Sequence, residues 1–196
     1  TRATALTTQD GIYVKNGDAT RRYLGTIRIT ATTGQCEDSA LNRLVWNYYN
    51  QVARDSYSRD TTDSWTNNGN GTWSIANNAN ANWKHTFIVG VAGCKINATA
   101  SLCRANSNSS GACVAIGYDS ATTPNAAISS MAFNNLTSAL PIMVELTTYP
   151  TAGSHYIAIL NTSSNTGAAT FYGDGGGYVG GGNLAIQSYM ITQMMR

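Results

Sequence analysis

The glycine-rich stretch "GDGGGYVGGG", residues 173–182, is the part of the sequence whose spacing most resembles a cofactor site. Gly175, Gly177 and Gly180 fit the G-x-G-x-x-G pattern of dinucleotide-binding loops. Such a loop needs a helix behind it, because the helix N-terminus meets the pyrophosphate. The residues that follow, "GGGNLAIQSYMIT", alternate as a strand does. We therefore interpret the stretch as a loop between the last two strands and expect no cofactor.

Catalytic chemistry has few candidate residues. The chain has two histidines, His85 and His155, and no G-x-S-x-G, H-E-x-x-H or paired-carboxylate pattern. Ser154 and His155 are neighbours in a predicted strand, so their side chains point to opposite faces. Asp60 and Asp119 stand beside Thr or Ser and are predicted to cap their own turns. We expect no catalytic residue and predict that the protein is not an enzyme.

The four cysteines, at positions 36, 94, 103 and 113, show no C-x-x-C spacing, which argues against a metal site. Two interpretations remain for them. They pack as small buried thiols, as free cysteines often do. Alternatively, Cys103 and Cys113 face each other across a hairpin around "NSNSSG" and form a disulfide in an oxidising setting.

Aromatic residues supply candidate contact sites. Trp65, Trp73 and Trp83 lie within 19 residues of one another among Asn and Gly. They are interpreted either as packing in the core or between subunits, or as a stacking platform for sugars. Tyr172 and Tyr178, at and inside the glycine-rich loop, are candidate contacts with a glycan or another partner.

The elements that must position these residues are mostly strands, because the hydrophobic pattern has period two over most of the chain. We predict a strand from about Asn42 to Val52, led in by a helical turn. Two hairpins are predicted, one joining "DSWTN" to "GTWSI" and one joining "CKINATASLCRA" to "ACVAIGYDS". Roughly ten short runs separated by Gly, Asn, Ser or Pro predict an all-β, jelly-roll-like β-sandwich with at most one short helix.

Composition limits the partners. Charged residues make up 11% of the chain and the net charge is +2, so no basic surface large enough for nucleic acid is expected. No apolar run approaches the roughly 18 residues of a membrane span. Small polar residues are abundant, which favours broad contacts between copies of the chain.

Residues 1–20 are expected to form an attachment arm or the end of a stalk, and residues 21–196 the β-sandwich.

Three segments of the sequence, "QDGIYVKNGDATRRYLGTIRIT", "EDSALNRLVWNYYN" and "DSWT", resemble a C-terminal domain of tailed-bacteriophage virion proteins. These are proteins of the tail-fibre, head-fibre or capsid-decoration type. The similarity covers Arg2 to about Trp73, and "AIGYDS", "YPTAGSHYIAIL" and "TFYGDG" extend it more loosely. The chain departs from the pattern at Gln51-Val52-Ala53-Arg54, where Arg-Val-Pro-Arg is common, and in its four cysteines.

The resemblance implies a jelly-roll-like homotrimer without catalytic residues, made in the host cytoplasm and carried on the virion. It would decorate or cement the head, or cap a fibre, against other virion proteins. Arg21, Arg22 and Tyr23 are interpreted either as an ordinary strand with a solvated face or as contacts with an acidic neighbour, either another copy or the capsid. The alternative function is a receptor-binding module that recognises host surface glycan through its tryptophans and loop tyrosines.

Overall fold

The structure, a computed structural model, describes residues 4–50, 52–68, 71–78, 81–105, 111–125, 128–132, 140–163, 167–174 and 187–195. The strands of the N-terminal part are β1 (Leu6–Gln9), β2 (Ile12–Lys15), β3 (Asp18–Arg22), β4 (Gly25–Ile27), β5 (Asn42–Arg43) and β6 (Val45–Asn47). The strands that follow are β7 (Arg54–Arg59), β8 (Trp65–Asn67), β9 (Ser74–Ile75), β10 (Lys84–Val89), β11 (Lys95–Ala105), β12 (Gly111–Tyr118), β13 (Ile128–Ala132), β14 (Leu140–Thr148), β15 (Gly153–Ser163), β16 (Ala169–Tyr172) and β17 (Tyr189–Met195). The helical content of the described residues is one 3-10 turn, Ala76–Asn78.

Eight of these strands pair in a nested pattern. The first of them, β7, pairs antiparallel with the last, β17; β10 pairs with β15, β11 with β14, and β12 with β13. Pairing of β17 with β11 and of β12 with β15 joins these four pairs into two sheets. A chain that pairs its first strand with its last and continues inwards in this way is a jelly roll. The predicted all-β, jelly-roll-like sandwich is confirmed.

The two sheets are named here by their strands. Sheet I contains β14, β11, β17 and β7, with β16 and β8 continuing beside β11. Sheet II contains β13, β12, β15, β10 and β5, with β9 beside β15. Outside them, β1, β2 and β3 form a three-stranded sheet, and β4 pairs with β6. The division into residues 1–20 and 21–196 stays a prediction; residue 20 lies within β3.

Alternation of side chains builds the core between the sheets. In β11, Ile96, Ala98, Ala100 and Leu102 are all buried and point to the interior, one residue in two. The partner strand β14 alternates in the same way, from buried Ile142 to exposed Met143. Strands with one apolar face must bury it against another layer, so these residues bring the two sheets face to face.

Both predicted hairpins are wrong. β8 pairs with β16 in sheet I, whereas β9 pairs with β15 in sheet II. Likewise β11 belongs to sheet I and β12 to sheet II. In each case the chain crosses from one sheet to the other instead of turning back beside itself. Alternation identifies a strand but not the sheet that it joins, which is why the sequence pattern led to hairpins.

The disulfide interpretation fails with the second hairpin. Cys103 lies opposite Pro141 and Tyr172 in sheet I, and Cys113 lies opposite Thr162 in sheet II. None of the four cysteines is in a disulfide, and burial raises the pKa of Cys103 and of Cys113. The interpretation as small packing residues describes Cys94 and Cys103, which are buried, whereas Cys36 is exposed.

The predicted strand from Asn42 to Val52 is shorter and interrupted. Leu44 separates β5 from β6, and no helical turn leads into them in the described residues. β5 runs parallel to β10, with Asn42 opposite Thr86, while β6 turns to pair with β4. After β6, the Asn47 side chain accepts a hydrogen bond from the Tyr49 N–H over 3.0 Å, which ends the strand in a turn.

Candidate functional site

A cluster of tyrosines holds the N-terminal strands together. Tyr13 of β2, Tyr23 just after β3 and Tyr48 just after β6 meet with ring centroids 5.6 to 6.4 Å apart. The Tyr23 N–H also donates a hydrogen bond to the Tyr13 carbonyl over 2.9 Å. Aromatic contacts at these distances stabilise beyond the area they bury. Three segments that are distant in sequence are therefore fixed against one another.

Gly90, which directly follows β10, allows the tyrosine cluster to pack on sheet II. A Cβ at Gly90 would overlap the Tyr23 hydroxyl and the Trp46 indole, so only glycine lets these rings approach the backbone. Tyr23 and Trp46 are both buried there, and the Tyr23 hydroxyl is 2.5 Å from the Thr26 hydroxyl. The N-terminal strands are thus packed onto the sandwich through a defined contact.

Between these strands and the sandwich lies a groove of about 910 Å³. One wall is the continuous segment from Arg21 to Ile29, which includes all of β4. The ends of β10 and β15, at Val89 and Ser154, contribute to the opposite side. We call this the basic groove, because Lys15, Arg21, Arg22 and Arg28 line it and no Asp or Glu is among the lining residues that the structure describes.

The four cations differ in how they are held. Arg21 forms an ion pair with Asp18 over 3.0 Å, and Arg28 donates to the Ser154 hydroxyl over 2.8 Å. Within the described ranges, Lys15 and Arg22 have no carboxylate within ion-pair distance. The groove therefore keeps a positive charge that a carboxylate or another anion from outside can neutralise.

Apolar side chains stand beside these charges. Leu24, Ile27 and Ile29 are 69%, 63% and 60% exposed, the most of any large aliphatic residues in the described chain. Single exposed apolar residues are ordinary, but three within six residues of a groove wall form a patch. The arrangement suits the binding of a partner that is both acidic and apolar.

The predicted contact residues Arg21, Arg22 and Tyr23 all line the groove, but their roles differ. Both arginines are exposed, Arg21 in an ion pair with Asp18, whereas Tyr23 is 7% exposed and supports the wall from beneath. Lys15, Leu24 and Arg28, which sequence reasoning did not select, complete the same surface. The sequence signal for this part of the surface was the alternation after residue 23, because it predicts that Arg28 and Ile27 lie on opposite faces of a strand.

The predicted glycan contacts do not form one platform. Trp65 is buried, and its ring stacks on Phe171 with centroids 5.8 Å apart. Trp73 is half-buried and packs against the core. Tyr172 lies half-buried at the end of β16, while Tyr178 and the glycines 175, 177 and 180 lie outside the described residues. Trp65 therefore serves packing, which was the other interpretation of the tryptophans.

Both histidines are held in hydrogen-bonded positions. His85 is fully buried between the sheets, with its nitrogens 2.9 Å from the Thr192 and Ser58 hydroxyls. Burial, with a smaller contribution from the charge of Arg43, lowers the pKa of His85 to about 3. It is therefore a neutral imidazole that links β10 to β17 and β7.

His155 belongs to a cluster that sequence reasoning missed. Its Nδ1 is 2.7 Å from the Asp119 carboxylate and 2.7 Å from the Tyr118 hydroxyl, and its Nε2 donates to the Thr151 carbonyl over 2.9 Å. Burial and the neighbouring Asp119 carboxylate raise the pKa of Tyr118 to about 12. Both ring nitrogens therefore have hydrogen-bond partners within the fold.

The two aspartates predicted to cap turns have different outcomes. The Asp60 carboxylate accepts the Thr62 N–H over 2.8 Å, as expected, and also the Trp83 indole N–H over 2.9 Å. The prediction for Asp119 is wrong, because its carboxylate accepts the N–H of Tyr156, which lies on a different strand. In the described part of the chain, no group of three or more His, Cys, Asp or Glu side chains is placed to hold a metal ion.

Fold and groove together define an all-β jelly roll with a basic, partly apolar groove beside its N-terminal strands. No family model and no curated protein matches the chain. Among solved structures, Eiger TNF from S. frugiperda is similar over 74% of this chain and 93% of its own, with 7% identity and a TM-score of 0.44. No helix in the described ranges is long and apolar enough to cross a membrane.

Two structures of infectious bursal disease virus are also similar. The VP2 subviral particle covers 97% of this chain with 12% identity and a TM-score of 0.35, and the Gx strain covers 98% with 11% identity and a TM-score of 0.36. This chain spans less than half of each viral chain, 45% and 46%. All three TM-scores lie below 0.5, so the fold assignment depends on the strand pairing itself.

Proposed function

We propose that this chain is a non-enzymatic structural protein on the surface of a tailed-bacteriophage virion, where it decorates or cements the head or caps a fibre as a homotrimer. The observation that carries the proposal is the convergence of the sequence segments that resemble phage virion proteins. "GIYVKNG", "RRYLGT" and "WNYYN" meet in the tyrosine cluster, and the first two contribute Lys15 and residues 21–26 to the lining of the basic groove. Segments held together beside a groove in this way are suited to a contact with a neighbour.

The placement of the histidines supports a role without catalysis. His85 links the two sheets from inside the core, and His155 ties the end of β12 to β15 through Asp119. The polar groups around both are engaged in holding the fold. An enzyme needs at least one such group directed at a substrate, so engagement of these groups within the fold favours a structural role.

The outer face of sheet I supports self-association. Across four strands, Glu145, Thr99, Ile191 and Tyr57 lie side by side in register. Tyr57 and Ile191 are 47% and 38% exposed, and Met143 on β14 is 52% exposed. Aromatic and aliphatic side chains among small polar residues on an exposed sheet face are typical of contacts between subunits. We assign the contacts of the proposed homotrimer to this face.

Retention on particles tests the proposal. Phage would be grown with the chain carrying both Arg21→Ser and Arg22→Ser, and the copies per purified particle would be counted by quantitative mass spectrometry. We expect occupancy to fall, because the two exposed cations of the groove are lost. Lys84→Ser is the matched control, since this cation lies on β10 but does not line the groove. Unchanged occupancy of the double variant would mean that the basic groove does not hold the chain on the particle.

A further inference from the structure

The groove contains an unpaired strand edge. In the described residues, β4 pairs with β6 alone. Arg28 donates its N–H to the Leu44 carbonyl, and the Leu24 carbonyl accepts the Tyr48 N–H, each over 2.9 Å. Successive residues of a strand direct their backbone groups to opposite sides, so Gly25 and Ile27 direct theirs away from β6. This second edge belongs to the segment that lines the basic groove.

Side chains around that edge alternate in character. Arg28 lies on one face of the strand, and Ile27 and Ile29 lie on the other. Arg22, exposed and without an ion-pair partner in the described chain, stands at the start of the same wall. A strand added beside β4 would therefore find Arg28 on one face and Ile27 and Ile29 on the other, with Arg22 in the same groove lining.

We propose that the basic groove binds an extended peptide segment with alternating acidic and apolar residues, added as a strand to the open edge of β4. Main-chain hydrogen bonds to Gly25 and Ile27 would align the segment, carboxylates would meet Arg22 and Arg28, and apolar residues would cover Ile27 and Ile29. This inference rests on the proposed function only in assigning the segment to a neighbouring virion protein.

The groove fits a peptide better than it fits a nucleic acid or a sugar. A phosphate backbone would use the cations but leave the exposed Leu24, Ile27 and Ile29 uncovered. A sugar would need an accessible aromatic face, and Tyr23, the aromatic side chain of the wall, is buried. Only an extended polypeptide uses the charges, the apolar side chains and the strand edge together.

Fluorescence polarisation measures the binding directly. The probe is a short labelled peptide in which Glu and Val alternate, and three reference probes remove one property each. A Lys–Val peptide reverses the charge, a Glu–Ser peptide removes the apolar side chains, and an N-methylated Glu–Val peptide blocks the backbone donors. We expect the Glu–Val peptide to bind most tightly, and to weaken several-fold between about 50 and 500 mM salt.

Two pairs of variants locate the binding. Ile27→Pro removes an N–H that faces the groove and keeps the bonds to β6, so we expect at least about fivefold weaker binding than in Ile27→Thr. Arg22→Ser should weaken binding about threefold, while Lys84→Ser should not change it. Thermal unfolding of each variant, followed by circular dichroism, checks that the fold is kept.

Several results would overturn the inference. Equal binding by Ile27→Pro and Ile27→Thr would exclude strand addition, and tighter binding of short single-stranded DNA than of the Glu–Val peptide would assign the groove to nucleic acid. The two proposals fail separately. Loss of particle retention by the Arg21 and Arg22 variants without any peptide binding would overturn this inference alone, and peptide binding by a chain that never reaches particles would overturn the virion function alone.

Discussion

At the scale of single residues, the burial of His85 makes the stability of the fold depend on pH. Its two nitrogens lie between the hydroxyls of Ser58 and Thr192, one from each of two neighbouring strands of sheet I. Burial, which dominates, and the charge of Arg43 lower its pKa from 6.5 to about 3. At mildly acidic pH, His85 therefore stays unprotonated in the folded chain but binds a proton in the unfolded chain.

The sign of the effect follows from proton linkage. Between pH 6.5 and about 3 the unfolded state binds one more proton at this histidine than the folded state does. Unfolding is then favoured as the pH falls, with a slope of up to about 1.4 kcal/mol per pH unit from this residue. Urea denaturation at several pH values from 7 to about 4.5 measures the slope.

His85→Gln isolates the contribution, because glutamine keeps hydrogen-bonding groups but does not titrate in this range. We expect the free energy of unfolding of this variant to depend less steeply on pH than that of the unchanged chain, whatever its absolute stability. The same pH dependence in both proteins would mean that His85 is accessible to protons in the fold.

At the scale of elements, the sequence predicts strands better than their partners. Alternation in "KINATASLCRA" and "PIMVELTTY" identifies β11 and β14, because each has one apolar face. It does not say that β11 and β12 join different sheets, since that depends on contacts between residues far apart in the chain. Alternation over "RRYLGTIRIT" also favours a single strand, whereas β3 ends at Arg22 and β4 begins at Gly25.

The separation of β11 from β12 has a chemical consequence for the thiols. With Cys103 in sheet I and Cys113 in sheet II, we expect four free thiols per chain. Cys36 should react with Ellman's reagent first because it is exposed, and buried Cys94 and Cys103 should react slowly until guanidinium unfolds the chain. A total of two thiols after unfolding without reductant would contradict this arrangement.

Gly90 tests the packing of the N-terminal strands on sheet II. Gly90→Ala places a methyl group against the Tyr23 hydroxyl and the Trp46 ring. We expect the free energy of unfolding to fall by about 1 to 3 kcal/mol, the usual cost of overpacking a filled site. Ala92→Ser, at an exposed position two residues away, is the control and should change little. Equal stability of the two variants would mean that the N-terminal strands are held elsewhere.

At the scale of the whole molecule, the period-two pattern was the guide to the fold class and single motifs to the candidate site. Alternation predicted an all-β chain, and the abundance of small polar residues favours contacts between copies. Arg21 and Arg22 were found from their resemblance to a phage pattern, yet Leu24 and Ile27 were not, because exposure of an aliphatic residue depends on tertiary packing. The same limit applies to Trp65, whose burial against Phe171 is set by the pairing of β8 with β16.

The position of the chain on an intact particle tests the virion proposal most directly. In a cryo-electron microscopy map of purified phage, we expect jelly rolls in groups of three on the outer surface of the head or at a fibre tip. The basic groove of each should face a neighbouring protein. A map without this density, with the chain recovered instead as a soluble single subunit of 20.8 kDa, would contradict the account.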